Sequence, residues 1–548
     1  MYLRTSPEDN EYAHPLDFVP LVDLSLGKVV RIEQMTRPPK PPMGTNGNYH
    51  RKTQSLPWRT GLKPLHVVQP EGPSFKVDGW NVSWQHWSLD LGFNSREGLV
   101  LYNVAFDDVQ EGRTRPIVHR ASIVESANIF HSFFGPSPVT LEWPADAALI
   151  SSVAVPYGDP APPFNRKCAL DAGDYGLGFA ANSLALGCDC LGHIKYFDAV
   201  VNNSAGEPVV RLAGGGEGLN LKSFFVLKTS ICLQVIKNAV CMHEEDGGLL
   251  WKHQDYRNGA TESRRARRLV ISFIMTAVNY EYAFYWTLGL DGSIHHEVKL
   301  TGLLATSVPH SLEDATDPGY GTLVSAGVNA QHHQHFFCAR LDMSVDDESG
   351  GTGCVVSEVD AVADAPVPGG NNNGFKPRET ALDSTHGAMR MTCPASARFW
   401  KISNPEQLHR VTRKPVAYAL MPGAAARMMA DSDSAVARRA AFATKNLWVT
   451  RHHDEQLYPA GTYCMQSLAC SGLSKWTAAD ESLVGGDPVL WYCFGVTHIV
   501  RPEECVRPPA ACVSSDEFHL SLTSLKRASL MRFLVVGRSC RANLLASR

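Results

Sequence analysis

Short β-rich runs set between turn signals constrain this chain of 548 residues more than any other feature. Ile117–Glu125, Ile194–Val201, Arg268–Met275 and Val489–Phe494 are rich in β-branched and aromatic residues. Such side chains fit a pleated, half-buried surface. The 44 Gly and 34 Pro supply the turns between such runs. Long helical periodicity is scarce and no repeat of fixed period is evident. The pattern predicts a mainly β fold, a large antiparallel β-sandwich, rather than an α/β fold.

Charge narrows the partners. The chain carries 51 Lys+Arg against 55 Asp+Glu, a formal net of -4, which gives no electrostatic reason to expect nucleic acid or an anionic membrane. The one dense basic run, Arg264-Arg265-Ala266-Arg267-Arg268, reads as a solvated strand entrance before the apolar Leu269–Met275. The N-terminal MYLRTSPEDNEYAHP lacks the basic-then-apolar pattern of a signal peptide. No window approaches the ~18 apolar residues of a membrane span, so a soluble protein is expected. Fourteen cysteines are too few for a disulfide scaffold at this length, and none form the CxxC of a structural zinc site.

Three clusters carry chemistry. In Gln331-His332-His333-Gln334-His335 the strand period of two puts His333 and His335 on one face, where they can clamp a metal, while His332 faces the other side. Imidazole suits copper, zinc, iron or nickel alike, and a His-rich strand edge facing solvent is the bland alternative. Asn279-Tyr280-Glu281-Tyr282 follows an apolar strand and by itself reads as a strand end. Asp171 and Asp174, in the Gly-rich stretch DAGDYGLG, suit a base, a calcium loop or plain turns.

Taken in order with HPLDFVPLVDLSLGKVVRI, VQPEGPSFKVDGWNVSW, VPYGDP, HQHFFCARLDM, PAGTY and LWYCFGVTHIVRPEE, these segments resemble the copper amine oxidases. The likeness runs from about Ser6 to Glu504, and its wording is most similar to the fungal, peroxisome-associated branch. It implies oxidation of primary amines by dioxygen to aldehyde, ammonia and hydrogen peroxide, with copper and topaquinone as cofactors. Tyr280, after Asn279, would be the topaquinone precursor. His333, His335 and His498 would hold copper, Asp171 would be the catalytic base, and Tyr157 would hydrogen-bond the quinone. Tyr282 and Tyr285 are read as packing residues. Asp342, Met343, Asp487 and Pro488 match a second site of hard oxygen ligands, for which calcium is the expected ion. Cys190 and Cys241 match a family disulfide, with Cys188 and Cys232 as competitors. A homodimer and a peroxisomal location are further implications of the resemblance.

The same comparison of motifs divides the chain. Residues 1–45 are read as the remnant of an N-terminal α/β domain and linker, 46–504 as the catalytic sandwich, and 505–548 as a tail foreign to the family. Ser126–Val153 and Arg211–Gln234 have no counterpart and are read as inserts lying outside the sandwich, either translated introns or surface loops. Two other functions stay open. One is an inactive metal-binding β-sandwich; the other is a mononuclear hydrolase using the three histidines and Asp171, which leaves Asn279-Tyr280 without a role.

Overall fold

Two large antiparallel sheets make up most of the computed structural model. It describes residues 2–4, 6–23, 26–34, 50, 61–109, 111–130, 153–154, 166–167, 169–171, 176–201, 235–277, 279–308, 320–325, 327–347, 350–410, 412–423, 425–462, 470–502, 504 and 520–524. Phe18–Asp23 (β1) and Lys28–Gln34 (β2) form a separate hairpin. Phe75–Asp78 (β3), Asn81–Trp84 (β4), Trp87–Asn94 (β5), Gly98–Asp108 (β6) and Arg113–Phe130 (β7) then meander, each antiparallel to the last. Val153–Ala154 (β8) pairs with Arg166–Lys167 (β9), and Ala169–Asp171 (β10) pairs with the end of β7.

A second meander comprises Lys195–Val200 (β11), Val235–Gln254 (β12), Thr261–Ala277 (β13), Tyr280–Gly289 (β14) and Ile294–Gly302 (β15). Thr306–Ser307 (β16), Gly321–Ser325 (β17) and Val328–Gln331 (β18) form a three-stranded sheet that leads into His333–Met343 (β19). Val355–Ala363 (β20), Phe375–Ala381 (β21), Phe399–Leu408 (β22) and Pro415–Met421 (β23) extend the second sheet. Leu447–Arg451 (β24) and Pro488–His498 (β25) complete the first, and Leu520–Ser524 (β26) joins the second. The nine-stranded sheet runs β24-β25-β19-β7-β6-β5-β4-β3, with β10 also on β7. The ten-stranded sheet runs β11-β12-β13-β14-β15-β26-β23-β22-β20-β21.

The two sheets share one core. On β14 the alternating Tyr280, Tyr282, Phe284, Trp286 and Leu288 face inward, and on β19 Phe337, Ala339, Leu341 and Met343 meet them. Each fully buried large apolar side chain contributes roughly 1.5–3 kcal/mol, so the facing ladders hold the sheets in fixed register. β19 is buried along its whole length. Its other face, with Phe336 and Cys338, is covered by a second cluster that includes Ala437, Phe442 and Leu473 around two short helices. No helix among the described residues is long and apolar enough to cross a membrane.

Three expectations need correction. Ser126–Phe130, assigned to the first insert, continue β7 within the sheet, between β19 and β10. The histidine-bearing end of β19 would otherwise leave its backbone groups on that side unpaired in a buried place, and these residues satisfy them. Leu520–Ser524, assigned to the foreign tail, pairs with both β15 and β23. Its apolar–polar alternation suits a strand, and it closes two facing edges. The basic run Arg264–Arg268 lies inside β13, not ahead of it, and is largely exposed. Residues 131–152 and the whole of Arg211–Gln234 lie outside the described residues.

Candidate metal centre

Antiparallel pairing of β19 with β25 sets His333 directly opposite His498. His335 lies two residues along β19, on the same face. The ring centroids are 4.6 Å apart for His333–His335 and 4.8 Å for His333–His498. His333 Nε2 is 3.3 Å from His498 Nδ1. All three ligand nitrogens lie within 4.8 Å of one another. Two metal–imidazole bonds of about 2 Å span roughly 4 Å, so the triad is slightly open.

The remaining ring nitrogens are held from behind. His333 Nδ1–H donates to the Gln331 carbonyl at 2.9 Å, and His498 Nε2–H donates to Glu504 Oε2 at 2.8 Å. His335 Nδ1 is bonded to the Tyr282 hydroxyl at 3.0 Å. Each pairing leaves the other nitrogen facing the common point, an arrangement that orients imidazoles for a metal. Burial, then the neighbouring histidines, pushes His333 down to about 3 and His335 well below the ordinary value, so both are neutral and ligand-competent. Burial raises the Glu504 carboxyl, but bonds from His498 and Arg501 outweigh it and hold it at about 2. The donor set therefore fits copper. His332 points elsewhere; its Nδ1 accepts from Val500 N–H at 3.2 Å.

Tyr280 stands against this triad. Its ring centroid is 5.4 Å from that of His333 and 5.1 Å from that of His335, and only 4 % of the residue is exposed. The hydroxyl accepts from Ala305 N–H at 3.4 Å. Burial raises its pKa above that of a free phenol. Asn279 ties the turn to the next strand, donating through Nδ2 to the Leu303 carbonyl at 2.6 Å and accepting from Leu303 N–H at 2.7 Å. Tyr280, Gly302, Leu304, His335, His498 and Glu504 line a cavity here. Beside Ala305, Thr306 binds the N-terminal segment: the Tyr2 hydroxyl donates to its carbonyl at 2.8 Å.

The expected base is placed only by its backbone. Asp171 pairs with Ala127 of β7, which pairs on its other side with Phe336 of β19. With strands about 4.8 Å apart, Asp171 lies roughly 10 Å across the sheet, level with the histidine segment. Tyr157 and Asp174 fall outside the described residues.

The second expected site is more complete. Asp342 Oδ1 and Asp487 Oδ1 are buried without a hydrogen-bond partner among the described residues. Burial, then the Asp342 charge, pushes the Asp487 carboxyl up to about 7. Gly351, at φ +86, leaves room there: a Cβ would lie 2.1 Å from the Met343 carbonyl oxygen and 3.1 Å from Asp487 Oδ1. Asp342 Oδ2 is turned to Arg340 Nη1 at 3.2 Å. Pro488 opens β25 opposite Arg451. Two orphan carboxylate oxygens and a carbonyl suit a hard cation.

Cys190 and Cys241, the expected disulfide partners, are neighbours in one small buried cluster and stand here as free thiols. Cys232 is outside the described residues. Tyr282, expected only to pack, bonds a candidate ligand. Its position two residues after Tyr280 on a strand was the available signal. Glu504 carries no periodic signal, because it follows the strand end by six residues in an irregular segment.

Residues 76–138, 147–213 and 223–523 match the family described as copper amine oxidase, enzyme domain. The breaks at 139–146 and 214–222 fall inside the two expected inserts, and the match runs past Glu504. The chain is 41% identical over 506 residues to a primary amine oxidase of Arthrobacter sp. (strain P1), covering 92% of this chain and 68% of that protein. It is 40% identical over 502 residues to the peroxisomal N-methylputrescine oxidase 1 of Nicotiana tabacum, covering 91% and 56%. With copper amine oxidase 1 of Schizosaccharomyces pombe it shares 37% identity over 522 residues, covering 93% and 65%. Bacterial and plant relatives are thus as similar as this fungal one. In structure it resembles a copper-containing benzylamine oxidase from Hansenula polymorpha, with a TM-score of 0.75, 31% identity, and coverage of 95% and 72%. The chain spans about two thirds of the bacterial relative and just over half of the tobacco one.

Proposed function

This chain belongs to the copper amine oxidase family, and on that premise we propose that it oxidises primary amines with dioxygen to aldehyde, ammonia and hydrogen peroxide. The observation that carries the reading is the convergence of three buried imidazoles beside one buried phenol ring. His333 Nε2, His335 Nε2 and His498 Nδ1 would hold copper, and Tyr280 would be the residue converted to topaquinone. When bound, copper and the quinone supply a redox metal and an electrophilic carbonyl, which no ordinary side chain offers.

The chain's own residues do the rest. Asn279 pins the Tyr280 backbone through the paired bonds to Leu303, so the ring keeps its place over the imidazoles. Tyr157 would hydrogen-bond a quinone oxygen and hold the ring in position. The Asp171 carboxylate would take the α-proton of the bound amine as a general base. Leu300 and Leu304 line the cavity beside Tyr280 and would offer an apolar wall to the carbon skeleton of the amine. Asp342, Asp487 and the carbonyls of Met343 and Pro488 would bind calcium away from this chemistry. A Cys190–Cys241 disulfide under oxidising conditions, a homodimer and a peroxisomal location remain part of the reading; the tobacco relative and one from Pichia angusta are named as peroxisomal. An inactive metal-binding homologue is the alternative; it would load copper and leave Tyr280 unmodified.

Aerobic copper loading followed by mass spectrometry of the Tyr280 peptide tests this directly. The expected result is oxidation of Tyr280, together with one phenylhydrazine-reactive carbonyl per chain and none in Tyr280→Phe. Copper uptake with an unmodified Tyr280 peptide would favour the inactive homologue.

A further inference from the structure

We infer that Tyr282 is a positioning residue for the metal centre, fixing the tautomer and ring orientation of His335 through its hydroxyl. The inference deepens the copper reading above and rests on it. Tyr282 is 1 % exposed, and its hydroxyl lies 3.0 Å from His335 Nδ1. The rings meet edge-on, with centroids 5.7 Å apart. Phe337 closes the other side of the phenol at 5.6 Å. The ring is therefore held by packing, and the bond adds direction.

Its chemical meaning follows from the two neighbours. His333 and His498 give their remote N–H groups to a carbonyl and a carboxylate, acceptors that fix the tautomer outright. His335 faces a hydroxyl in the same role. For His335 Nε2 to present its lone pair to copper, Nδ1 must carry the proton and donate it to the Tyr282 oxygen. Were the phenol the donor, Nε2 would carry a proton and point it at the metal. The placement also links two functions on one strand. Tyr280 and Tyr282 share the inward face of β14, so the strand that presents the ring to be oxidised also steers the imidazole beside it. The bond spans from the ten-stranded sheet to the nine-stranded one, which ties the spacing of the sheets to the geometry of the centre.

Tyr282→Phe removes one oxygen and leaves the ring. Its copper affinity, from chelator competition, is expected to fall about 10–100-fold, as for loss of other partners of metal-bound histidine. Electron spin echo modulation from the remote imidazole nitrogens should change, and oxidation of the Tyr280 peptide should slow. Tyr285→Phe, on the opposite face of β14, is expected to match the parent in all three. If the Phe variant does not fold, 2,3,5-trifluorotyrosine at 282 keeps the shape but acidifies the phenol, and the remote-nitrogen signal should then shift. A Phe variant within about twofold of the parent affinity with an unchanged echo signal overturns the inference alone, as does a fluorotyrosine protein with an unshifted signal. A parent that takes up no copper overturns the copper reading and this inference with it.

Discussion

His296 shows what a single side chain costs in this interior. It is 0% exposed, neither ring nitrogen has a hydrogen-bond partner among the described residues, and Phe284, Trp286 and Phe494 surround it. Burial pushes its pKa down to about 3; the Tyr285 backbone opposes this without reaching hydrogen-bond geometry. Above the unfolded value of about 6.5 both states are neutral and nothing depends on pH. Below it the unfolded chain takes a proton that the folded one refuses, so stability falls by roughly 1.4 kcal/mol per pH unit until about pH 3. His296→Phe should remove that slope. In denaturant unfolding the variant is expected to lose roughly 2 kcal/mol less than the parent between pH 7 and 5, and equal losses would refute it. At this scale the sequence was partly legible. The period of two reveals that His333 and His335 share a face, and the same rule applied to Tyr280 would have singled out Tyr282. No local period marks His498 or Glu504, whose positions depend on which strand lies beside β19; His498 was visible through the family resemblance alone.

Elements position the centre through their ends. β15 stops at Gly302, where φ is +102 and a Cβ would stand 2.5 Å from the Asn279 carbonyl oxygen, 2.8 Å from Glu281 N and 3.0 Å from Tyr280 Cα. All three are backbone atoms, so none can swing aside, and an L side chain is also strained at that φ. Gly302→Ala should therefore push the end of β15 from the start of β14. Where a compatible Gly→Ala stabilises by up to about 1 kcal/mol, this incompatible one is expected to destabilise by more than that in thermal unfolding. The Tyr280 peptide should also oxidise more slowly after copper loading; an unchanged melting temperature and rate would show that the approach is not tight. The strands themselves were legible as β-rich runs, but their ends were not. β7 runs to Phe130 because β19 needs a partner along the histidine segment, and β26 exists because β15 and β23 face each other. Both are demands made by other strands, which a local pattern of residues does not contain.

Across the whole molecule, the proposed second cation site joins parts that the sequence keeps far apart: β19 at Asp342 and Met343, the Gly351 turn, and Asp487 before β25. The pairing of β19 with β25 that assembles the histidines thus also brings Asp342 beside Asp487, at the opposite end of the same two strands. Only the resemblance to relatives made this visible in the sequence, since two aspartates so far apart form no motif. Without a cation the arrangement is unfavourable, because two buried carboxylates repel and each keeps an orphan oxygen. Under the calcium proposal the same atoms would become ligands, and binding to the folded state alone would add about 2.7 kcal/mol at one hundred times the dissociation constant. Asp487→Asn removes one charge, which relieves the repulsion and weakens the site together. The expected outcome is a crossing: in chelator the variant melts at or above the parent, and in excess calcium the parent melts higher. Parallel shifts of both proteins on adding calcium, or no shift in either, would mean that these aspartates do not hold the ion.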